Sequence, residues 1–255
     1  MTKKRKTLRR PVVYINRPCA EQSFDNVPEH DRRSSLKTQP RPFTRKKIGL
    51  LGGSFNPAHE GHREISLEAI RRLELDEVWW LVSPQNPLKS TDEMASLEAR
   101  LDSAANVAAG HPKLIVTDLE RRLGTQYTVD TVRRLSRDHR ADFVWLIGAD
   151  NLVQLPKWRS WRELLNLVPI AVFDREPYSY RALAGRVARA FAAHRVRTRN
   201  AAALVRADPP AWVYFRLRRY RVSSTAIRRR GAWPIGLGPG EEAKAQDGPG
   251  EGQSS

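Results

Sequence analysis

Six short apolar runs, separated by stretches of helical periodicity, constrain the fold of this chain more than any other feature. They lie at 47–51 (KIGLL), 78–82 (VWWLV), 113–117 (KLIVT), 143–147 (FVWLI), 170–173 (IAVF) and 212–217 (WVYFRL). All have strand length and few charges. Between them, residues 60–74, 94–109, 128–139, 158–167 and 180–193 have helical spacing: Ile65, Ala69, Ile70 and Leu73 share one face, as do Leu97, Leu101 and Ala105. Strand and helix in alternation predict an α/β domain, a doubly wound, mostly parallel sheet with helices on both faces. Ligands of such sheets sit beyond the carboxyl ends of the strands, near the reversal of strand order. Site residues are therefore sought just after the apolar runs.

Charge divides the chain into three parts. Residues 1–47 carry 14 Lys/Arg against 4 Asp/Glu, residues 231–255 carry 1 against 4, and the remainder carries 30 against 20. Residues 1–45 read as a basic extension without sustained periodicity, 46–230 as the folded domain, and 231–255 as a tail too rich in Gly and polar residues to bury a core. A basic middle suits a polyanionic ligand, of which nucleic acid is one kind and phosphorylated small molecules another. The single cysteine, Cys19, forms no intrachain disulfide, which fits a reducing compartment. With no apolar run of about 18 to 20 residues there is no predicted membrane span, and the cytoplasm is the expected location.

The segment KKIGLLGGSFNPAHEGHREISL, 46–67, concentrates the chemistry. Gly52 and Gly53 after the first run permit a tight turn and close approach of a bound group, and Pro57 fixes a dihedral before the helix. Free N–H groups at the helix start make an anion site. His59 and His62 stand three apart in that turn. Metal ligation and plain packing are their other readings. No HExxH or cysteine cluster supports the first, and spacing alone leaves the second open.

The stretch GGSFNPAHEGH resembles the signature of the nucleotidylyltransferase superfamily. Four further stretches, SPQNPLKS, TQYTVDTVRRL, IGADNLVQLPKWRSW and VSSTAIR, appear in order and resemble segments of the nicotinate-nucleotide adenylyltransferase family within it. The resemblance covers most of 47–230 and implies a Rossmann-like nucleotidylyltransferase fold. It also implies an enzyme that joins ATP to nicotinate mononucleotide, giving deamido-NAD and pyrophosphate in NAD biosynthesis, with Mg²⁺ bound through the ATP phosphates.

By the same resemblance His59, His62 and Arg228 are catalytic. Gly52, Gly53, Ser54, Phe55, His59, His62, Asp150, Arg175, Ser224, Thr225 and Arg228 bind ATP, with Ser223 or Ser224 capping a helix against the phosphates. Asn86 and Lys89 serve the mononucleotide, and Thr128 and Trp158 receive its nicotinate ring. On their own, Arg228 reads as solvated in a basic run, Asp150 as a helix N-cap, and either Trp158 or Trp161 as core. Rival readings are a sibling transferase acting on nicotinamide mononucleotide or phosphopantetheine, and a basic nucleic-acid-binding protein. The second rests on charge alone, which five ordered motifs outweigh. Little helix-forming sequence follows SSTAIRRR, so a closing helix is not expected with the same force.

Overall fold

The computed structural model describes residues 45–84, 94–174, 178–217 and 224–229. Six strands form one sheet: β1 (Lys46–Gly53), β2 (Glu77–Val82), β3 (Leu114–Thr117), β4 (Ala141–Gly148), β5 (Ile170–Phe173) and β6 (Trp212–Phe215). The described α-helices are α1 (Glu60–Leu73), α2 (Leu97–Ala108), α3 (Leu119–Leu123), α4 (Thr128–Asp138), α5 (Ala149–Gln154), α6 (Trp161–Leu167), α7 (Ser179–Leu183), α8 (Arg186–Ala190) and α9 (Ser224–Arg229). Three 3₁₀ segments, Leu155–Lys157, Ala192–His194 and Thr198–Arg206, complete them.

Strand order is β3-β2-β1-β4-β5-β6 and every pairing is parallel, so the expected doubly wound α/β sheet is found. Strands covered on both faces read as continuous apolar runs, because each successive side chain enters one core or the other. In β4, Phe143, Trp145 and Ile147 enter the core beneath α3 to α8. Val144 and Leu146 enter the core beneath α1, α2 and Thr198–Arg206. Trp80 and Trp145 are the largest side chains with almost no exposure. Truncating either to Ala leaves a cavity that costs on the order of 3–5 kcal/mol.

The helices expected at 60–74, 94–109, 128–139 and 158–167 are present with trimmed ends. The single helix expected over 180–193 is not; α7 and α8 replace it, broken at Ala184 and Gly185. A Cβ on Gly185 would lie 2.9 Å from the Arg181 carbonyl oxygen. The chain folds back over the end of α7 there, and α8 restarts in a direction that buries Val187 and Ala188. It then passes the outer edge of β6, where Val196 N–H donates to the Trp212 carbonyl at 2.7 Å. Finally it crosses to the other face as Thr198–Arg206, burying Ala201, Leu204 and Val205. Neither that segment, nor α3, nor α5 was foreseen from periodicity.

Candidate active site

Strand order reverses between β1 and β4, and beyond their carboxyl ends lie the GGSFNPAHEGH turn, to which α9 bonds, and the start of IGADN. Gly52 and Gly53 were expected to make the turn, but both remain in β1, paired with Leu81 and Val82. The turn falls on the following residues, with Phe55 in the left-handed region at φ 47°. That conformation costs on the order of 1–3 kcal/mol for a bulky residue. Phe55 offsets it by burying its ring, stacked on Trp80 at 5.2 Å and tilted against His62 at 4.7 Å. Gly52 has an internal reason to be glycine, since a Cβ there would lie 2.8 Å from the Trp145 ring. Beside Gly53 a Cβ would meet only the Phe55 ring, at an ordinary 3.5 Å. Close approach of a ligand therefore remains a reason for glycine at 53, whereas packing suffices at 52.

His59 is not yet helical. It is the N-cap of α1, 6% exposed, and its Nδ1 accepts the Gly61 N–H at 3.1 Å. His62, in the third helical position, returns the bond: its Nδ1 accepts the His59 N–H at 3.1 Å. This is a capping box built from two imidazoles, with rings stacked 3.9 Å apart. Because Nδ1 is an acceptor in both, each neutral ring carries its proton on Nε2. One hydrogen-bond pattern thus fixes ring orientation and tautomer together.

The helix expected within VSSTAIR is present as α9, and any helix after SSTAIRRR would lie outside the described residues. Arg228 Nη1 donates to the Asn56 carbonyl at 2.7 Å and the Ser224 hydroxyl to the Pro57 carbonyl at 2.9 Å. Arg228 is thereby half-buried against the β1 turn rather than solvated in a basic run. Ser224 is the first residue of α9 and bonds across to Pro57, with exposed Thr225 beside it, while Ser223 lies outside the described residues. Asn56 is fixed from its other end, its Oδ1 accepting the Ala95 N–H at 3.2 Å.

On the β4 side, the pairing of Leu51 with Leu146 brings Gly148 level with Gly53. Gly148 is the N-cap of α5, so Asp150 sits inside the first turn and is not the cap. Thr128 opens α4, half-buried, after Tyr127. Trp158 follows the 3₁₀ turn, half-buried, whereas Trp161 is core at 7% exposure. The neighbours of Thr128 and Trp158 hold these two segments together: the Arg159 guanidinium lies 4.6 Å over the Tyr127 ring, and Arg133 pairs with Glu163. Asn86, Lys89 and Arg175 lie outside the described residues. Asp174, one position before Arg175, accepts hydrogen bonds from the Tyr214 hydroxyl at 2.8 Å and from Ser179. Burial and the adjacent carboxylate push the Tyr214 hydroxyl up to about 12.

Three buried ionisable residues near the strand ends escaped the sequence reading: Arg100, Glu120 and Asp118, the last ion-paired with Arg121 and Arg122. Arg100, 1% exposed, sends its guanidinium to four backbone carbonyls, and burial lowers its pKa. Its signal was in the letters: it lies on the buried stripe Leu101, Ala104 and Ala108 of α2, where a charge has no place unless it is satisfied. Glu120, 5% exposed, is pushed up to about 7 by burial, against the pull of hydrogen bonds from Ser83 and Thr131. Only the contacts of α3 reveal it. Among the described residues no three His, Cys, Asp or Glu side chains are grouped as a metal site, and no helix is long and apolar enough to cross a membrane.

The cytidylyltransferase-like family matches residues 50–230. A protein of Parvibaculum lavamentivorans named "Probable nicotinate-nucleotide adenylyltransferase" is 48% identical over 190 residues, 74% of this chain and 94% of the relative. One of the same name from Erythrobacter litoralis is 50% identical over 190 residues, 74% of this chain and 86% of the relative. Among solved structures, the Plasmodium falciparum nicotinic acid mononucleotide adenylyltransferase complexed with NaAD matches with a TM-score of 0.55. That match covers 72% of this chain and 83% of the other, and at 15% identity it speaks to the fold. By its matched span and by relatives near half identity over nearly their whole length, the chain belongs to the nicotinate-nucleotide adenylyltransferase family of cytidylyltransferase-like proteins.

Proposed function

We propose that this chain transfers the adenylyl group of ATP to nicotinate mononucleotide, giving deamido-NAD and pyrophosphate. The observation that carries the reading is the meeting of a two-histidine capping box and Arg228 on one turn, at the switch point of the sheet. An oxygen of the mononucleotide phosphate attacks the α-phosphorus of ATP. The new P–O bond forms as the bond to the bridging oxygen breaks, and pyrophosphate leaves with that electron pair. A phosphate monoester is already ionised near neutral pH, so the reaction needs alignment and charge neutralisation more than a base.

His59 and His62 direct their Nε2–H donors at the ATP phosphates, where negative charge grows on the leaving group. Arg228, with Ser224 and Thr225, meets the same phosphates from α9. The backbone of Gly52, Gly53, Ser54 and Phe55 lies along the nucleotide, Asp150 takes ribose hydroxyls, and Arg175 stands at the adenine. Asn86 and Lys89 hold the mononucleotide phosphate; Thr128 bonds the nicotinate carboxylate and Trp158 stacks on its ring. Mg²⁺ enters with the triphosphate as part of the substrate and neutralises phosphate charge.

The test is purified protein with ATP, Mg²⁺ and either nicotinate or nicotinamide mononucleotide, following dinucleotide and pyrophosphate. A carboxylate only accepts hydrogen bonds whereas an amide also donates, so donors set for the acid leave the amide N–H₂ facing another donor. We expect kcat/KM at least ~100-fold higher for the acid. Equal use of both removes the nicotinate assignment, and orthophosphate as the direct product removes adenylyl transfer.

A further inference from the structure

Ser83, the first residue past β2, is gripped from both faces of the sheet. Its N–H donates to the Gly53 carbonyl at 3.0 Å, carrying the β1–β2 ladder one step beyond the strand. From the α1–α2 face, Arg100 Nη1 donates to the Ser83 carbonyl at 2.6 Å and the Ser54 carbonyl at 2.9 Å. Its Nη2 reaches the Pro84 carbonyl at 3.0 Å and its Nε the Ala95 carbonyl at 3.0 Å. From the other face, the Ser83 hydroxyl bonds to the carboxyl of Glu120 in α3. Glu120 takes a second bond from Thr131 of α4 at 3.3 Å, and Thr131 is 2.8 Å from the Thr125 hydroxyl.

Burying a guanidinium and a carboxyl is costly, and apolar packing of similar volume supplies stability at least as well. Here the two groups do not even pair with each other. They converge on one serine. What a rigid planar fork reading four carbonyls provides is geometry, a fixed spacing between chain segments that carry no regular structure of their own.

We propose that Arg100 and Glu120 are positioning residues for adenylyl transfer: by holding Ser83 from opposite faces they fix the end of β2, at Ser83 and Pro84, relative to the Ser54–Pro57 turn. This rests on the function proposed above, in which the two reacting phosphates approach from those neighbouring strand ends. Misplacement by about 1 Å is enough to cost on the order of 100-fold in rate.

The experiment compares R100K, S83A, E120A, E120Q and the S83A/E120A pair in the full chain. It measures kcat and KM for each substrate, thermal melting, and hydrogen exchange of the Ser83 amide. We expect R100K to lower kcat by roughly 10- to 100-fold with KM for ATP nearly unchanged. S83A and E120A should each slow turnover, and together slow it no more than either alone. E120Q, whose amide oxygen still accepts the Ser83 hydroxyl, should restore most of what E120A loses. Slow variants should exchange faster at Ser83. Variants that melt lower yet keep wild-type kcat and Ser83 protection would overturn the proposal, as would additive losses. If E120A does not fold, S83A and E120Q decide the same question. Absence of product from the wild-type chain counts against the function alone, because unaltered Ser83 exchange across the variants overturns the clamp without any substrate.

Discussion

At the scale of single residues, His59 and His62 each combine an observed role with a proposed one, and alanine would remove both together. The Nδ1 atoms cap α1, and the rings supply the donors assigned to the phosphates. Losing a helix cap costs on the order of 1 kcal/mol of stability, while losing a charge-stabilising donor commonly costs ~3 kcal/mol of activation free energy. Asparagine is a good N-cap without an imidazole, so H59N should keep the melting temperature close to wild type and lower kcat about 100-fold. Steady-state kinetics beside a thermal melt checks this; normal kcat in H59N would leave the histidine as a cap only. Trp158 offers a second separation. W158A should raise KM for the mononucleotide and leave ATP binding largely unchanged, because its ring packs partly against the core and its exposed remainder is assigned to the nicotinate. The spacing of the two tryptophans left open which is core; the fold buries Trp161 against Phe191 and leaves Trp158 partly exposed.

Elements divide by how their apolar pattern arises. The strands were legible because burial on both faces forces an unbroken apolar run, and α1, α2 and α4 because they bury one stripe. The pieces that were missed are α3 at five residues, α5 at six, and the 3₁₀ segment Thr198–Arg206. Helices α3 and α5 are too short to display a helical period, and Thr198–Arg206 is interrupted by non-helical backbone at Asn200, so its buried Ala201, Leu204 and Val205 form only a brief stripe. Wedged between β2 and α4, α3 also makes a measurable claim through Glu120. The carboxyl is pushed up to about 7 from an ordinary 4.5, so between those values the folded chain keeps a proton that the unfolded chain releases. Stability is then fully present below pH 4.5, falls as pH rises to about 7, and is level above. A gap of this size corresponds to roughly 3 kcal/mol. Urea unfolding at pH 5 and pH 8 should show that loss in the wild type and most of it gone in E120Q; an equal loss in both would place the titration elsewhere.

In the whole molecule, the parallel sheet gathers every strand end that matters on one side, and the basic middle of the chain, 30 Lys/Arg against 20 Asp/Glu, suits two substrates that are both phosphorylated. The sheet order sets the ends of β1 and β4, far apart in the chain, side by side. It also sets a schedule. The Asn56–Pro57 turn is made early in synthesis, whereas Ser224 and Arg228, which close on it, come 167 and 172 residues later. At ~5–20 residues per second that is a wait of roughly 10 to 30 s. All six strands are made by Phe215, before Ser224, so a chain cut short between the two should hold the sheet while its histidines lack the arginine. Chains stopped at residue 217 should give a folded circular dichroism spectrum with adenylyl transfer reduced at least ~100-fold. On the role proposed for Arg228, adenylyl transfer would start only after the residues of α9 have been made and have closed on the β1 turn.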